Sequence, residues 1–240
     1  MTYQKKAPES IKEMFGAIAK NYDRTNAILS FKMHKHWNME LAKAVAHKKE
    51  VRAFLDLCCG TGEIAFNYAK LNNGPFELHL LDFTPEMLDI AKAKAKKLCL
   101  DGQRIHYIQS DAQKIPLPDE VIDCVTISYG IRNVSNPSLC IKEAFRVLRP
   151  GGLMGILELT RPKNPFLKLG HTIYLKTILP ILGKLMTSNT KAYHYLSQSI
   201  QSFQTPENLK RLMEEEGFNP VTTKKLSGGI ATIVLGTKPV

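Results

Sequence analysis

Val51 to Ala69, VRAFLDLCCGTGEIAFNYA, constrains the fold more than any other stretch of this sequence. An apolar run (Phe54, Leu55, Leu57) carries Asp56 and ends in a Cys-Cys-Gly-Thr-Gly loop. Ile64, Ala65, Tyr68 and Ala69 then recur at helical spacing. This reads as a buried strand, a tight turn and a helix, the opening of a doubly wound α/β sheet. Gly60 and Gly62 let the backbone approach a ligand or take a positive φ, which a side chain would obstruct. Open α/β sheets bind ligands at the carboxyl ends of their strands, where this loop belongs.

Gly60 to Ala65 fits the pattern G-x-G-x-x-A, and Asp82 lies twenty residues beyond Gly62, as in a dinucleotide fingerprint. The charges argue otherwise. Asp56 enters the loop, Glu63 leaves it, Asp82 ends the second apolar run and Asp111 the third. A pyrophosphate prefers bare amide donors and positive potential, and these carboxylates would repel it. A ligand with a sulfonium, an α-amino group and a ribose diol suits them, which favours S-adenosylmethionine over NAD.

At 240 residues the chain is expected to form one domain, burying roughly three-quarters of its unfolded surface. The expected parts are an N-terminal helical cap (1–48), a cofactor-binding core (49–160), a helical insertion (161–204) and a closing helix with strands (205–240). MTYQKKAPES has no apolar signal core and no apolar run reaches membrane-spanning length, so a cytoplasmic location is expected. The five cysteines lack paired metal spacing and read as reduced thiols. Cys58-Cys59 reads as small-residue filler in the turn. His34 and His36 at i and i+2 have no third ligand nearby in sequence, so no metal site is expected. A net charge of +11 suits an anionic partner, a membrane surface or nucleic acid, or simply a solvated surface.

Taken in order, Ile11, Met14, Phe15, Ile18 and Ala19 predict a helix. The polar, aromatic stretch that follows is either a structural lid or a substrate-facing cap using Tyr22, Asp23, Asn26 and His34. Strands are predicted at Phe76–Leu81 (before Asp82), Arg104–Gln109 and Val121–Ser128. Thr84 and Pro85 start a helix as N-cap and first position, and another covers Pro137–Leu148. The turn Arg149–Gly152 leads into a strand over Leu153–Leu159. In residues 161–204 lysines stand among leucines, isoleucines and aromatics, giving either a core insertion or an apolar, membrane-touching wall around Phe166–Met186. Thr205 caps a last helix ending near Gly217, and Phe218–Leu226 with Gly229–Thr237 form a closing antiparallel pair.

This organisation resembles the class I S-adenosylmethionine-dependent methyltransferases along the whole chain. The motifs FGAIAKNYDRTNAILSFKMHKHW, LDLCCGTGE, SYGIRNV, ELTRP and AYHYLSQSI make it similar to the menaquinone/ubiquinone C-methyltransferase family. The resemblance implies a Rossmann-like, mostly parallel seven-stranded sheet with an antiparallel C-terminal strand, N-terminal helices and a helical insertion over the acceptor site. The family commonly has alanine where Cys58 stands.

The cofactor residues implied are Asp56, Gly60, Thr61 and Gly62 in the first loop, with Asp82, Asp111, Ala112 and Ser128. Thr61 would contact the methionine part, Asp82 the ribose hydroxyls, and Asp111 with Ala112 the adenine edge. The reaction implied is metal-free methyl transfer to a ring carbon of a prenylated quinol, demethylmenaquinol or a polyprenyl benzoquinol. Arg132 and Asn133 would stabilise phenolate charge and Tyr129 align the ring, although Arg132 also reads as a structural ion-pair partner. Tyr22, Asp23, His34, Tyr193, Tyr195 or water could take the proton. Transient membrane contact, no nucleic-acid partner and an open question of oligomerisation complete the expectations. Competing readings are an RNA methyltransferase, a NAD-dependent oxidoreductase and a silent, lipid-binding scaffold.

Overall fold

The computed structural model describes residues 8–48, 50–72, 74–100, 104–186 and 190–240. Helices α1 (Pro8–Ile18), α2 (Tyr22–Leu29) and α3 (Met33–Ala46) come first. Strand β1 (Ala53–Leu57) leads through the glycine loop to α4 (Glu63–Leu71), β2 (Glu77–Asp82), α5 (Pro85–Lys97) and β3 (Arg104–Gln109). Next are β4 (Ile122–Ser128), α6 (Pro137–Val147) and β5 (Leu148–Leu159). The insertion comprises α7 (Pro165–Ile173), a π-helical stretch at Tyr174–Ile178, α8 (Leu179–Met186) and α9 (Thr190–Ser202). Helix α10 (Pro206–Glu215) precedes β6 (Val221–Leu226) and β7 (Ala231–Thr237).

Among the described residues these strands make one seven-stranded sheet in the order β3-β2-β1-β4-β5-β7-β6. Only β7 runs against its neighbours. Chain direction across the sheet reverses between β1 and β4, which pair in parallel, so a ligand cleft is expected beyond Leu57 and Ser128. Successive strand residues face opposite sides, and the two faces bury separate cores. Leu55, Leu57, Val125 and Ile127 pack with Ile141 of α6 and Met213 of α10. Phe54, Leu78, Leu80 and Cys124 pack with Leu41 of α3, Ile64 of α4 and Leu88 of α5. No helix forms in the β3–β4 crossover at 110–121, where Pro116 and Pro118 break the backbone amide series.

Several local expectations need correction. Thr84 stands at the N-cap of α5 but its side chain makes no capping bond; its N–H instead donates to Asp82 Oδ1. Arg149–Gly152 is no separate turn. It is a bulge within β5, between the pairs Ile122–Leu148 and Cys124–Leu153, held by Gly151 N–H to Lys238 O and Lys238 N–H to Gly152 O. The first closing strand starts at Val221 rather than Phe218, because Phe218 turns inward against Phe145 and Pro220 has no N–H to give a ladder. The second starts at Ala231, after a left-handed turn at Ser227–Gly229. Thr205 does cap α10, accepting from Asn208 N–H.

The insertion is not core throughout. Leu175 and Leu179 are buried, but Phe166 is 85% and Leu169 61% exposed, and α7 buries no residue. Among the described residues no helix is long and apolar enough to cross a membrane.

Candidate active site

The glycine loop is shaped by left-handed backbone at Cys58, Gly60 and Gly62. At Gly62 a Cβ would lie 2.6 Å from the Phe66 ring, whereas at Gly60 it would meet nothing. Gly62 therefore serves packing at the start of α4, and Gly60 faces open space. Asp82 at the end of β2 holds the loop in place. Its Oδ2 accepts from Gly60 N–H and its Oδ1 from Thr84 N–H, each at 2.8 Å. Burial pushes this carboxyl up, opposed by those amides.

Above the strand ends lies a cleft of about 770 Å³, open volume included. Of the expected cofactor residues, Gly60, Asp82, Asp111, Ala112 and Ser128 line it. Asp111 accepts from Gln113 N–H at 2.9 Å, and Gln113 Oε1 accepts from Ser135 Oγ and Asn136 N–H. This network holds Asp111 at the rim. Ile11, Phe15 and Tyr22 roof the cleft from the N-terminal helices.

Asp56, Thr61 and Gly62 do not line it. The Thr61 hydroxyl is engaged within the protein. It donates to Asp23 Oδ1 at 2.7 Å and accepts from Lys94 Nζ at 2.8 Å, and Lys94 lies 2.5 Å from Asp23 Oδ2. The trio latches the cap to the glycine loop and α5. Asp56 is buried beneath the loop, where Thr126 Oγ1 donates to it at 2.7 Å.

Burial pushes the Asp56 carboxyl up to about 7. The unfolded chain loses this proton near pH 4, at about 3.9, so between there and about 7 the folded state binds more protons. Stability from this group is thus full below the unfolded value and lost as pH rises through the folded one, with a slope of at most about 1.4 kcal/mol per unit. Asp56→Asn is expected to flatten that decline, measured by urea unfolding at mildly acidic and mildly alkaline pH. Parallel pH profiles for the two proteins would remove Asp56 as its source.

A second cavity of about 1290 Å³, open volume included, adjoins the cleft. Its walls are mostly apolar, among them Trp37 of α3, Leu159, Phe166 of α7, Leu175 and Ile200 of α9. Tyr22 and Tyr129 line both spaces. Tyr129 has a left-handed backbone (φ 54°), and Gly130 beside it is obligatory, since a Cβ there would lie 2.4 Å from Cys58 Cβ. The Tyr129 hydroxyl is buried without a partner among the described residues.

Arg132 also lines the second cavity. It is not free for substrate alone. Its Nη1 donates to Glu158 Oε1 at 2.5 Å, with side-chain exposures of 6% and 0%. Burial pushes the Glu158 carboxyl up against the pull of Arg132. Arg132 Nε is buried with no partner among the described residues. Asn133 lines the cofactor cleft; its Nδ2 donates to Tyr129 O and its Oδ1 accepts from Tyr195 Oη at 3.0 Å.

The expected proton acceptors separate cleanly. Asp23 is held in the latch, and Tyr195 donates to Asn133. Burial raises Tyr22, making it a poor base. His34 lines the second cavity, and burial lowers it below the ordinary histidine range, so its ring is neutral at pH 7. His171, not anticipated from sequence, lines the same cavity and is lowered by burial too. The Tyr193 side chain lies outside the described residues. Glu158 was also missed, although a lone acid within the apolar run LMGILEL signals a buried charge in need of a partner.

The ubiE/COQ5 methyltransferase family model matches residues 1–238. A demethylmenaquinone methyltransferase of Protochlamydia amoebophila is 48% identical over 99% of this chain and 98% of its own length. A protein of the same name from Staphylococcus aureus is 36% identical over 99% and 97%. A SAM-dependent methyltransferase from Thermotoga maritima shares the fold, with a TM-score of 0.64 at 19% identity over 95% of this chain and 99% of its own. With the cleft at the strand ends and the apolar cavity behind it, these likenesses assign the chain to the ubiE/COQ5 methyltransferase family, as an S-adenosylmethionine-dependent enzyme.

Proposed function

We propose that the chain methylates a ring carbon of demethylmenaquinol. The observation that carries the reading is the wall shared by the two spaces. Tyr22 and Tyr129 belong to both, and two buried donors, Tyr129 Oη of that wall and Arg132 Nε of a residue lining the second cavity alone of the two, lack partners among the described residues. Unpaired buried donors are costly, and a quinol oxygen in the apolar cavity would satisfy them. The two relatives named demethylmenaquinone methyltransferase support a naphthoquinol over a benzoquinol.

The cleft fits S-adenosylmethionine by its donor set. A carboxylate has about four acceptor sites, so Asp82 keeps capacity for ribose hydroxyls beyond its two amides. Asp111 and Ala112 offer a polar and an apolar edge to the base. Bound there, S-adenosylmethionine would supply an electrophilic methyl on a sulfonium.

The chain's own residues favour the anionic quinol. Phenols ionise near pH 10, at about 10 in model compounds, so at neutral pH the site must stabilise phenolate. Arg132 Nε and Tyr129 Oη do so as fixed donors in a mostly apolar cavity. His34 and His171 are neutral wall groups able to accept the proton. The apolar walls keep water from competing for the methyl group.

The acceptor must then be the quinol, because a quinone's ring carbons are electron-poor. The test is product analysis by mass spectrometry under strict anaerobiosis, with demethylmenaquinone in both redox states and a demethylated benzoquinol in parallel. Methylation of the naphthoquinol alone is expected. Equal rates from quinone and quinol would overturn the mechanism, and a faster benzoquinol would overturn the choice of acceptor.

We place the working enzyme at the cytoplasmic membrane surface, where a prenylated acceptor resides. Phe31 and Phe166 stand at the edge of the acceptor cavity and are 71% and 85% exposed, with Lys168 and Lys176 exposed nearby. Each lysine near an anionic surface contributes about 1 kcal/mol, weakened by salt. Vesicles with anionic lipid should sediment the protein at low salt, and Phe166→Asp should reduce this roughly tenfold, on the order of one buried side chain's transfer energy. Absence of wild-type binding at low salt would overturn the placement.

A further inference from the structure

The edge of the sheet remote from the cleft carries a second cluster with its own chemistry. Because no helix forms in the β3–β4 crossover, one face of β2 and β3 is left without a helical cover. Glu77 and His79 share that face of β2. Register pairs Glu77 with Arg104 and His79 with His106 on β3, the edge strand. The His79 and His106 rings stack at 4.6 Å between centroids with 14° between planes. Glu77 Oε2 lies 3.8 Å from His79 Nε2 and 3.6 Å from His106 Nε2. One ligand atom from each residue falls within 4.8 Å of the other two.

We propose that Glu77, His79 and His106 form a binding site for one divalent cation of the zinc class, tying the edge strand β3 to β2. Two imidazoles and one carboxylate are a borderline-soft donor set, which selects zinc-like ions over magnesium or calcium. Ligands at about 2.0–2.2 Å in a tetrahedron stand about 3.3 Å apart. Contraction by a few tenths of an ångström closes both Glu77 distances, but near-parallel rings cannot aim two in-plane lone pairs at one ion, so the His106 ring must also rotate out of the stack. Glu77 has side-chain torsions to supply the contraction, and the His106 ring, 49% exposed, is free to turn. Water completes the fourth position from the solvent side.

His79 is the residue most in need of the ion. Its side chain is 12% exposed, its Nδ1 is buried without a partner among the described residues, and Glu77 lies beyond hydrogen-bond distance of Nε2. A half-buried imidazole normally has a firm partner; coordination at Nε2 gives the ring one, while Nδ1 stays as it is. The competitor is Arg104, whose Nη1 is 3.0 Å from Glu77 Oε1. Its side chain is 81% exposed, so this ion pair is weak and releases the arginine to water at little cost. The site is structural. His79 lies three residues before Asp82, roughly 10 Å along the strand, so the ion would act on the sheet edge without entering the cleft.

The experiment titrates the full-length, chelator-stripped chain with zinc chloride alone in a non-coordinating buffer, followed by calorimetry and thermal unfolding. One equivalent should bind with micromolar or tighter affinity, and the unfolding midpoint should rise by several degrees. His106→Ala alters an exposed ring and should fold normally; it should weaken zinc binding at least tenfold and abolish the midpoint rise while methyl transfer persists. Glu77→Gln should do the same through the opposite strand. No binding at about a hundred micromolar zinc, or binding unchanged in both variants, would overturn the proposal.

Discussion

Arg132→Ala is expected to destabilise the protein by about 3–5 kcal/mol, because it strands the Glu158 carboxylate in a dry interior. Glu158 has no exposed side-chain surface and Arg132 very little, so solvent cannot take over the lost partner. Urea unfolding measures the loss, and a change below about 1 kcal/mol would mean that Glu158 takes a proton and escapes the penalty. Two further variants separate folding from chemistry. Arg132→Met with Glu158→Leu removes both charges, and replacing a buried pair by apolar residues is often neutral, so most stability should return. Methyl transfer should not return, because no fixed cation would remain beside the acceptor oxygen. Arg132→Lys keeps charge without the planar fork and should recover only part of kcat. Recovery of full activity in the double variant would make Arg132 purely structural.

Asp82→Ala should cost more than a ribose contact. Hydrogen bonds to an ionised group contribute about 1.5–3 kcal/mol each, and Asp82 makes two of them to backbone amides of separate segments. Losing them frees the glycine loop and the start of α5 together, so cofactor affinity should fall at least tenfold, on the order of 1.4 kcal/mol or more. Asp82→Asn should be almost as harmful. Both carboxylate oxygens accept from N–H groups, so an amide must turn its own NH₂ toward one of those donors. Calorimetry with S-adenosylmethionine tests both, and unchanged affinity in a folded Asn variant would remove Asp82 from the cofactor site.

Much of the frame was legible before any coordinates. Strands β1 to β4 have largely apolar runs or clear alternation, and three of them lead to a residue suited to a ligand: Asp82 at the end of β2, Asp111 beyond β3 and Ser128 at the end of β4. Periodicity and turn chemistry are local signals, and these positions depend on local signals. What remained hidden depends on distance in the chain. The Thr61 hydroxyl reads as a ligand group until Asp23 and Lys94 converge on it from other helices. Arg132 reads either as a phenolate-stabilising cation or as an ion-pair partner, and the partner, Glu158, is identified only when β5 brings it alongside. His79 and His106 are far apart in sequence and meet only through strand register. The Arg149–Gly152 bulge has turn composition, and only pairing with both β4 and the Lys238 backbone keeps it within one strand.

The two cavities divide the labour between their walls unequally. Tyr22 serves both spaces and a smaller one beside them, and its neighbour Asp23 anchors the latch to the glycine loop. On the proposed reading, a change in this cap touches the donor and the acceptor space at once. Phe166, Gly170, Tyr174 and Leu179, across the acceptor cavity, belong to that cavity alone. Substitutions there can reshape the space for a ring or its tail without touching the cofactor cleft. On the proposed reading, substitutions in the insertion would alter the fit of the acceptor, whereas those in the N-terminal cap would alter the fit of both the methyl donor and the acceptor.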